Sequence, residues 1–367
     1  MRILHLSSNI KFGGSEQQLI HLVEASDKKN VKNYIFCFDT SELNIFKDQT
    51  KAIFFNHPKR KIYSFELLKR LNQIVKQEKI DLIHIHNGKF ILTFMLSNIL
   101  FNLKCKAIFS KKDMSRSSSL FSKIKYNYSG IYKTTCVTEA IKKRFQKILY
   151  KKNHHKLIVI RDGININELE KNKAKEKNIL KSSNDKIIIG NIANHVRAKG
   201  LKTFILTIDY LVNVKKIKNI QFIQIGRFTN LTDEINQMII EKDLTNYIEL
   251  KGFIQNGHEF LPQFDYFMMT SESEGMPLTI LESLYYEVPV ITTNVGGIPE
   301  VILHKHNGML ADSNDFKSLA NNLLELIDDT SLRKKVKENG LKTILDNFDS
   351  TIMAEQTIKI YKEAILN

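Results

Sequence analysis

Two carboxylates around a helix start mark the stretch of this sequence best equipped for chemistry. Glu274 closes the polar run Ser271-Glu272-Ser273-Glu274-Gly275, and Glu282 follows eight residues later, beyond Met276, Pro277, Leu278 and Thr279. Pro277, with its fixed φ and missing N–H, suits the first turn of a helix continuing through Ile280 and Leu281. The backbone N–H groups of Gly275 to Thr279 would then open, unpaired, beyond the end of the preceding strand, where the helix dipole favours an anion. One carboxylate would flank that anion and the other would lie about a turn and a half into the helix. Separated acceptors on either side of phosphate donors suit a ligand with hydroxyls at both ends of a diphosphate, the shape of a nucleotide sugar. The alternative is a pair of solvated surface glutamates, the usual fate of Glu.

Two further loops offer groups for the same ligand. The segment Ala193-Asn194-His195-Val196-Arg197-Ala198-Lys199-Gly200 leads into a helix near Leu201, and a basic loop before a helix N-terminus can neutralise a diphosphate; an ordinary exposed basic loop is the plainer alternative. Near the start, Gly13-Gly14 follows a first strand and precedes an apolar helical pattern at Leu19, Ile20, Leu22 and Val23, with Ser15 as the expected cap. This pair lacks the G-x-G-x-x-G spacing, which disfavours a nicotinamide or flavin enzyme. Turns at Gly226 and Lys251-Gly252 are places where a base could rest. His84 and His86 alternate with Ile83 and Ile85 and so share one face of a strand; they read as a satisfied core pair or as acceptor-side groups. Two ring nitrogens without a third ligand in sequence reach do not make a metal site.

These residues need a scaffold, and the periodicity supplies one. Apolar strands are expected at Arg2 to Ser7, Asn33 to Phe38, Ala52 to Phe55, Leu82 to His86, Ala107 to Ser110 and Thr134 to Thr138. Helices are expected at Ser64 to Gln77, Phe90 to Leu103 and Glu139 to Leu149. A second series has strands at Ile187 to Asn191, Gln221 to Ile225, Tyr247 to Leu250 and Phe264 to Thr270. Later helices run from Phe316 to Ile327, capped from Ser313-Asn314-Asp315, and from Ser350 to Leu366. Alternating βα units predict parallel sheets covered on both faces, with ligands beyond the carboxyl ends of the strands. The Lys/Asn-rich stretch from Asn165 to Lys186, with a helix around Glu168 to Leu180, reads as the connection between two domains.

The pattern Glu274-Gly275-Met276-Pro277-Leu278-x3-Glu282, with Pro289-Val290-Ile291 and Gly296-Gly297-Ile298-Pro299-Glu300 after it, resembles the signature of the retaining GT-B-fold glycosyltransferases of family 4, also called glycosyl transferases group 1. The resemblance implies an α/β fold of two Rossmann-like βαβ domains facing across a cleft. The acceptor domain would be 1–166, with the terminal helix 350–367 crossing back onto it, and the nucleotide-sugar domain 167–349. It implies that Glu274 contacts the donor hexose, Glu282 the ribose, and Gly13 and Gly14 the donor phosphates. Lys199 matches a family lysine; the family's arginine position holds Asn194, so Arg197 is expected to supply the second cation. Where the family carries a histidine near the scissile bond, this chain has Lys112 followed by Asp113, and where the family has Asn-Gly it has Asp162-Gly163. Lys112 could meet the sugar or phosphate but could not act as the same base. The implied reaction is metal-independent: cations and the helix dipole would stabilise the departing nucleoside diphosphate, with UDP the expected carrier and no cofactor. A hexose or N-acetylhexosamine would go to a glycan or lipid-linked acceptor in cell-surface polysaccharide synthesis. A nucleotide-sugar epimerase on the same fold, or a non-catalytic relative that binds membrane or nucleic acid, are the alternatives.

Composition bounds the rest. At 367 residues and 43% apolar, the chain is expected to form two domains. Cys37, Cys105 and Cys136 lie far apart, without metal-ligand spacing, and read as reduced core residues. A net charge of +16 fits nucleic acid, an anionic membrane or a lysine-favouring genome. Between Lys89 and Lys125 stand Lys104, Lys106, Lys111, Lys112, Arg116 and Lys123 against one acid, Asp113, either as a solvated face or as a membrane-facing edge. No nucleic-acid reading motif is present, so nucleic acid is not an expected partner. The N-terminus lacks a signal-peptide core and Phe90 to Phe101 is too short to span a bilayer, so a cytoplasmic protein, peripheral on the inner face of the membrane, is expected.

Overall fold

The computed structural model describes residues 1–59, 61–114, 119–173 and 186–367. They divide into two compact units, Met1–Asn165 with Asp349–Asn367, and Ile166–Phe348. Of the expected linker helix, Ile166–Lys173 is helical; 174–180, like Arg116, lies outside the described residues.

In the first unit the strands are β1 (Arg2–Leu6), β2 (Lys32–Phe38), β3 (Ile53–His57), β4 (Leu82–Ile85), β5 (Lys106–Lys111), β6 (Ile131–Cys136) and β7 (Leu157–Val159). They form one parallel sheet in the order β3-β2-β1-β4-β5-β6-β7. The connecting helices are α1 (Gly14–Asp27), α2 (Phe65–Gln77), α3 (Phe90–Phe101), α4 (Leu120–Tyr126) and α5 (Glu139–Gln146). Strand β4 is buried at every residue, as a parallel strand covered on both faces must be.

The second unit contains helix α6 (Ile166–Lys173) and strands β8 (Ile187–Ile192), β9 (Ile220–Ile225), β10 (Ile248–Leu250), β11 (Tyr266–Met269), β12 (Val290–Thr293) and β13 (Met309–Ala311). Its sheet has the order β10-β9-β8-β11-β12-β13. Helices α7 (Leu201–Asp209), α8 (Thr232–Glu241), α9 (Leu278–Tyr285), α10 (Phe316–Asp328) and α11 (Thr330–Asn347) complete it. Phe204, Phe222, Met268, Ile291 and Leu323 meet in its core.

The last helix, α12 (Ser350–Leu366), belongs to the first unit. Its residues Met353, Ala354, Ile358 and Tyr361 pack with Ile3 of β1, Leu22 of α1 and Leu82 of β4. Both sheets have the nucleotide-binding order, in which the strand sequence reverses beside β1 and beside β8. The crevices at the carboxyl ends of those strands are the positions where such folds bind ligands.

Candidate active site

In the second unit, two loops at the carboxyl ends of β8 and β11 are stitched together by hydrogen bonds. Glu272 N donates to the Ala198 carbonyl at 2.8 Å, and Thr270 Oγ1 to the Gly200 carbonyl at 3.0 Å. Gly200 has φ +60°, and a Cβ there would stand 2.0 Å from the Thr270 oxygen, so only glycine lets the loops approach. This contact brings Lys199 Nζ within 2.6 Å of Glu274 Oε1, to which Ser271 Oγ also donates at 2.6 Å. A second glycine, Gly296 (φ +57°), leans over Glu274 from the loop after β12, its missing Cβ 1.9 Å from the Glu274 carbonyl oxygen. A carboxylate 9% exposed and paired with a lysine carries a desolvation cost that an apolar residue would avoid, which favours a chemical role over a stabilising one.

Helix α9 begins directly after this carboxylate. Pro277 occupies its cap position in extended geometry (φ −76°, ψ 119°), and no side chain caps the first turn. Met276, Pro277 and Leu278 are buried, whereas Gly275 and Thr279 are partly open. Glu282 is 2% exposed, and its charge adds to burial in pushing the neighbouring Tyr286 phenol far above its ordinary range. Both glutamates are therefore interior groups, and the surface alternative does not hold.

The basic loop divides. Lys199 turns inward, but the Arg197 side chain is 92% exposed, with Nε 4.0 Å from Glu272. Asn194 Oδ1 accepts from Arg227 N at 2.9 Å and so braces the next loop. Sequence reasoning missed three residues of that loop region. The Arg227 guanidinium lies 4.1 Å from the Phe253 ring centre, and Phe228 and Phe253 are both about half exposed, with the Phe228 ring packed on Gly252. The available signal was their position immediately after Gly226 and Gly252, glycines at strand ends.

In the first unit, α1 starts at Gly14 with Gly13 in the cap position, extended and without a side-chain acceptor; Glu16 N and Gln17 N donate to the Gly13 carbonyl at 3.0 Å. Ser15 is thus not the cap but a residue of the first turn, since the Gly13 carbonyl already takes the first helical amides. Its carbonyl accepts from Lys112 Nζ at 3.3 Å, which places Lys112 beside the Gly13-Gly14 turn. Asp113 is exposed and pairs with the buried Lys111.

The histidine pair has a third member. The register of β1 against β4 puts His5 opposite His84, and nitrogens of His5, His84 and His86, each at most 3% exposed, lie within 4.8 Å of one another. No sequence spacing joins residue 5 to residue 84; strand pairing does. The hydrogen bonds form a chain: His5 Nδ1 is 3.0 Å from His86 Nε2, and His5 Nε2 is 3.0 Å from Asn33 Oδ1. The two nitrogens of His84 lie 2.5 Å from the Tyr361 hydroxyl and 2.7 Å from Ser110 Oγ. The His84 and His86 ring centres are 4.1 Å apart with the rings tilted by 34°, and both His84 nitrogens already have hydrogen-bond partners, so an ion bound through His84 would have to displace one of them. Burial holds all three imidazoles neutral, His5 down to about 4, and the Lys112 charge lowers them further.

Comparison with known proteins bears directly on this geometry. Residues 172–343 match the model of glycosyl transferases group 1, and residues 12–168 match that of glycosyltransferase family 4. The chain is a GT-B-fold glycosyltransferase. This glycosyltransferase is 22% identical, over its whole length and 98% of the relative, to the UDP-Gal:alpha-D-GlcNAc-diphosphoundecaprenol alpha-1,3-galactosyltransferase of Escherichia coli. It is 30% identical to the capsular polysaccharide biosynthesis glycosyltransferase CapM of Staphylococcus aureus, a match that spans about half of each chain (53% and 50%). In fold it is similar to Anabaena Alr3699/HepE, solved with UDP and glucose, with a TM-score of 0.85 at 18% identity over 99% of this chain and 100% of the other. No described helix of the glycosyltransferase is long and apolar enough to cross a membrane.

Proposed function

We propose that this glycosyltransferase is retaining and metal-independent, and that it moves a hexose or N-acetylhexosamine from a UDP-sugar to a glycan or lipid-linked acceptor in cell-surface polysaccharide synthesis. The observation that carries this reading is the buried Glu274 carboxylate paired with the partly buried Lys199 just before the uncapped start of α9. A diphosphate lying across that helix start would meet the amides of Gly275 to Thr279 and the Lys199 ammonium, which together stabilise the leaving group as its bond to the sugar breaks. Glu274, fixed by Ser271 and the Gly296 turn, would hold the sugar, while Glu282 would take the ribose. Phe228 and Phe253 offer ring faces to the base. For the first unit, the resemblance assigns Gly13, Gly14 and Lys112 to the donor's phosphates or sugar. The names of the E. coli galactosyltransferase and of CapM support the UDP-sugar and the polysaccharide context, and neither favours an epimerase.

A lipid-linked acceptor would require an approach to the membrane. α3 packs against α4, and these helices expose Ile99, Leu100, Leu120, Phe121 and Ile124 alongside Lys104 and Lys123, an apolar and cationic face suited to an anionic leaflet.

A thermal-shift screen against UDP-, GDP- and ADP-sugars, followed by product mass with and without EDTA, tests the reading. A UDP-sugar should stabilise the protein and turnover should survive chelation; a shift confined to GDP or ADP donors, or loss of activity with EDTA, would overturn it. Sedimentation with vesicles containing anionic lipid tests the docking face, and failure to co-sediment would remove it.

A further inference from the structure

The Glu274 carboxylate is held unevenly. Two donors reach it, the Ser271 hydroxyl and the Lys199 ammonium, and both come to the same oxygen, Oε1, at 2.6 Å. Two donors fill the two lone pairs of one carboxylate oxygen. The other oxygen, Oε2, accepts from none of the described residues, yet it is not among the fully buried polar atoms left without a partner, as Thr292 Oγ1 is. Oε2 is thus unpaired and keeps surface to offer.

Ser271 is itself fixed. It is fully buried just beyond β11, and its carbonyl accepts from the Thr293 hydroxyl at 2.6 Å, so the last residue of β12 holds the place from which Ser271 Oγ reaches Glu274. The Glu274 backbone is pinned from the other side, where Gly296 leaves no room for a Cβ. Lys199 is held less firmly. Its side chain is 26% exposed, and only one of the three N–H groups of its ammonium is needed for Oε1, which leaves the others for the oxygens of a diphosphate.

We propose that Ser271, anchored by Thr293, is a positioning residue for Glu274 that keeps Oε1 occupied and so turns Oε2 alone toward the donor sugar, where it reads one hydroxyl. This rests on the reading above, in which Glu274 holds the sugar. A carboxylate oxygen without a proton only accepts, so a sugar that is deoxygenated or fluorinated at that carbon has nothing to give it. The two donors also differ during transfer. As charge collects on the departing diphosphate, Lys199 is drawn toward it, and Ser271 is the donor that stays with the carboxylate.

The test compares the parent with Ser271→Ala, Thr293→Val, Glu274→Ala and the Ser271→Ala/Glu274→Ala double variant in the full chain. Each is measured for UDP binding by calorimetry, and for kcat and KM with the UDP-sugar that the thermal-shift screen selects and with its monodeoxy analogues. Ser271→Ala should leave the affinity for UDP unchanged, because Lys199 and the amides at the start of α9 remain. It should lower kcat/KM for the UDP-sugar by on the order of tenfold, the scale of a lost hydrogen bond to a charged group. It should also lessen the penalty for removing one hydroxyl of the sugar, and only that one. Thr293→Val should do the same more weakly. In the Glu274→Ala background, Ser271→Ala should have no further effect. Equal losses for UDP and UDP-sugar would show that Ser271 merely shapes the loop, and an unaltered penalty for every deoxy analogue would show that it does not aim Oε2; either result overturns the proposal. If Glu274→Ala behaves as the parent toward the UDP-sugar, the sugar assignment of Glu274 falls and this proposal with it. If Glu274→Ala is damaged and Ser271→Ala is not, the assignment stands and only the role of Ser271 is lost.

Discussion

The two units solve the same problem, keeping a lysine at the mouth of a parallel sheet, in opposite ways. In the second unit Lys199 meets Glu274 directly at 2.6 Å, and the contact exists because Gly200 and Gly296 let three loops crowd together. In the first unit Lys112 donates instead to the Ser15 backbone carbonyl in the first turn of α1, where burial lowers its pKa and the more distant Asp162 and Glu16 charges draw it back up. The difference teaches that backbone approach sets one cation and a buried electrostatic field sets the other. The first should be sensitive to small steric changes and the second to charge and pH.

The largest expected effect tests that field. His5, His84 and His86 have folded pKa values below the ordinary 6.5, so the stability they contribute is fully present above that pH and is lost as acidification protonates the unfolded chain. Linkage gives roughly 1.2 kcal/mol per imidazole between pH 7 and 5.5. Glu16 and Asp162, whose values are raised by burial, act in the opposite sense and offset part of this. Hydrogen exchange should show β1 and β4 losing protection on acidification before β8 and β11; equal loss would erase the contrast.

Next is Lys199→Ala, expected to reduce turnover by on the order of a hundredfold, as losing a charge partner of the leaving group does. A variant as active as the parent would place leaving-group stabilisation elsewhere. Gly296→Ala puts a Cβ at positive φ against the Glu274 carbonyl and should cost about 2 kcal/mol in thermal unfolding, with activity falling alongside. An unchanged melting temperature would show that the loop relaxes freely. The smallest effect should be that of Glu282→Ala, weakening UDP binding about tenfold by calorimetry; unchanged affinity would remove the ribose assignment.

Much of the scaffold was legible. The final helix was expected at Ser350 to Leu366 and lies there, and the Asp315 carboxylate caps the helix before Phe316 by accepting from Ser318 N. The strand boundaries fell within a few residues of their expected places, since buried parallel strands read as continuous apolar runs. Elements with weaker patterns escaped, among them α4, whose exposed Leu120, Phe121 and Ile124 defeat an inward-facing stripe, helices α8 and α11, and the three-residue strands β7 and β13.

The Glu274 to Glu282 spacing, the helix start at Pro277 and the glycine turns were determined by local sequence alone, because each is a property of neighbouring residues: fixed φ, absent Cβ, uncapped amides. Which distant groups meet was decided only by the fold. Residue 5 finds residue 84 through the register of β1 against β4, and Lys112 at the end of β5 and the Asp162-Gly163 segment after β7 both reach α1. Burial then sets their charge, and burial is a property of the packed interior rather than of any stretch of chain.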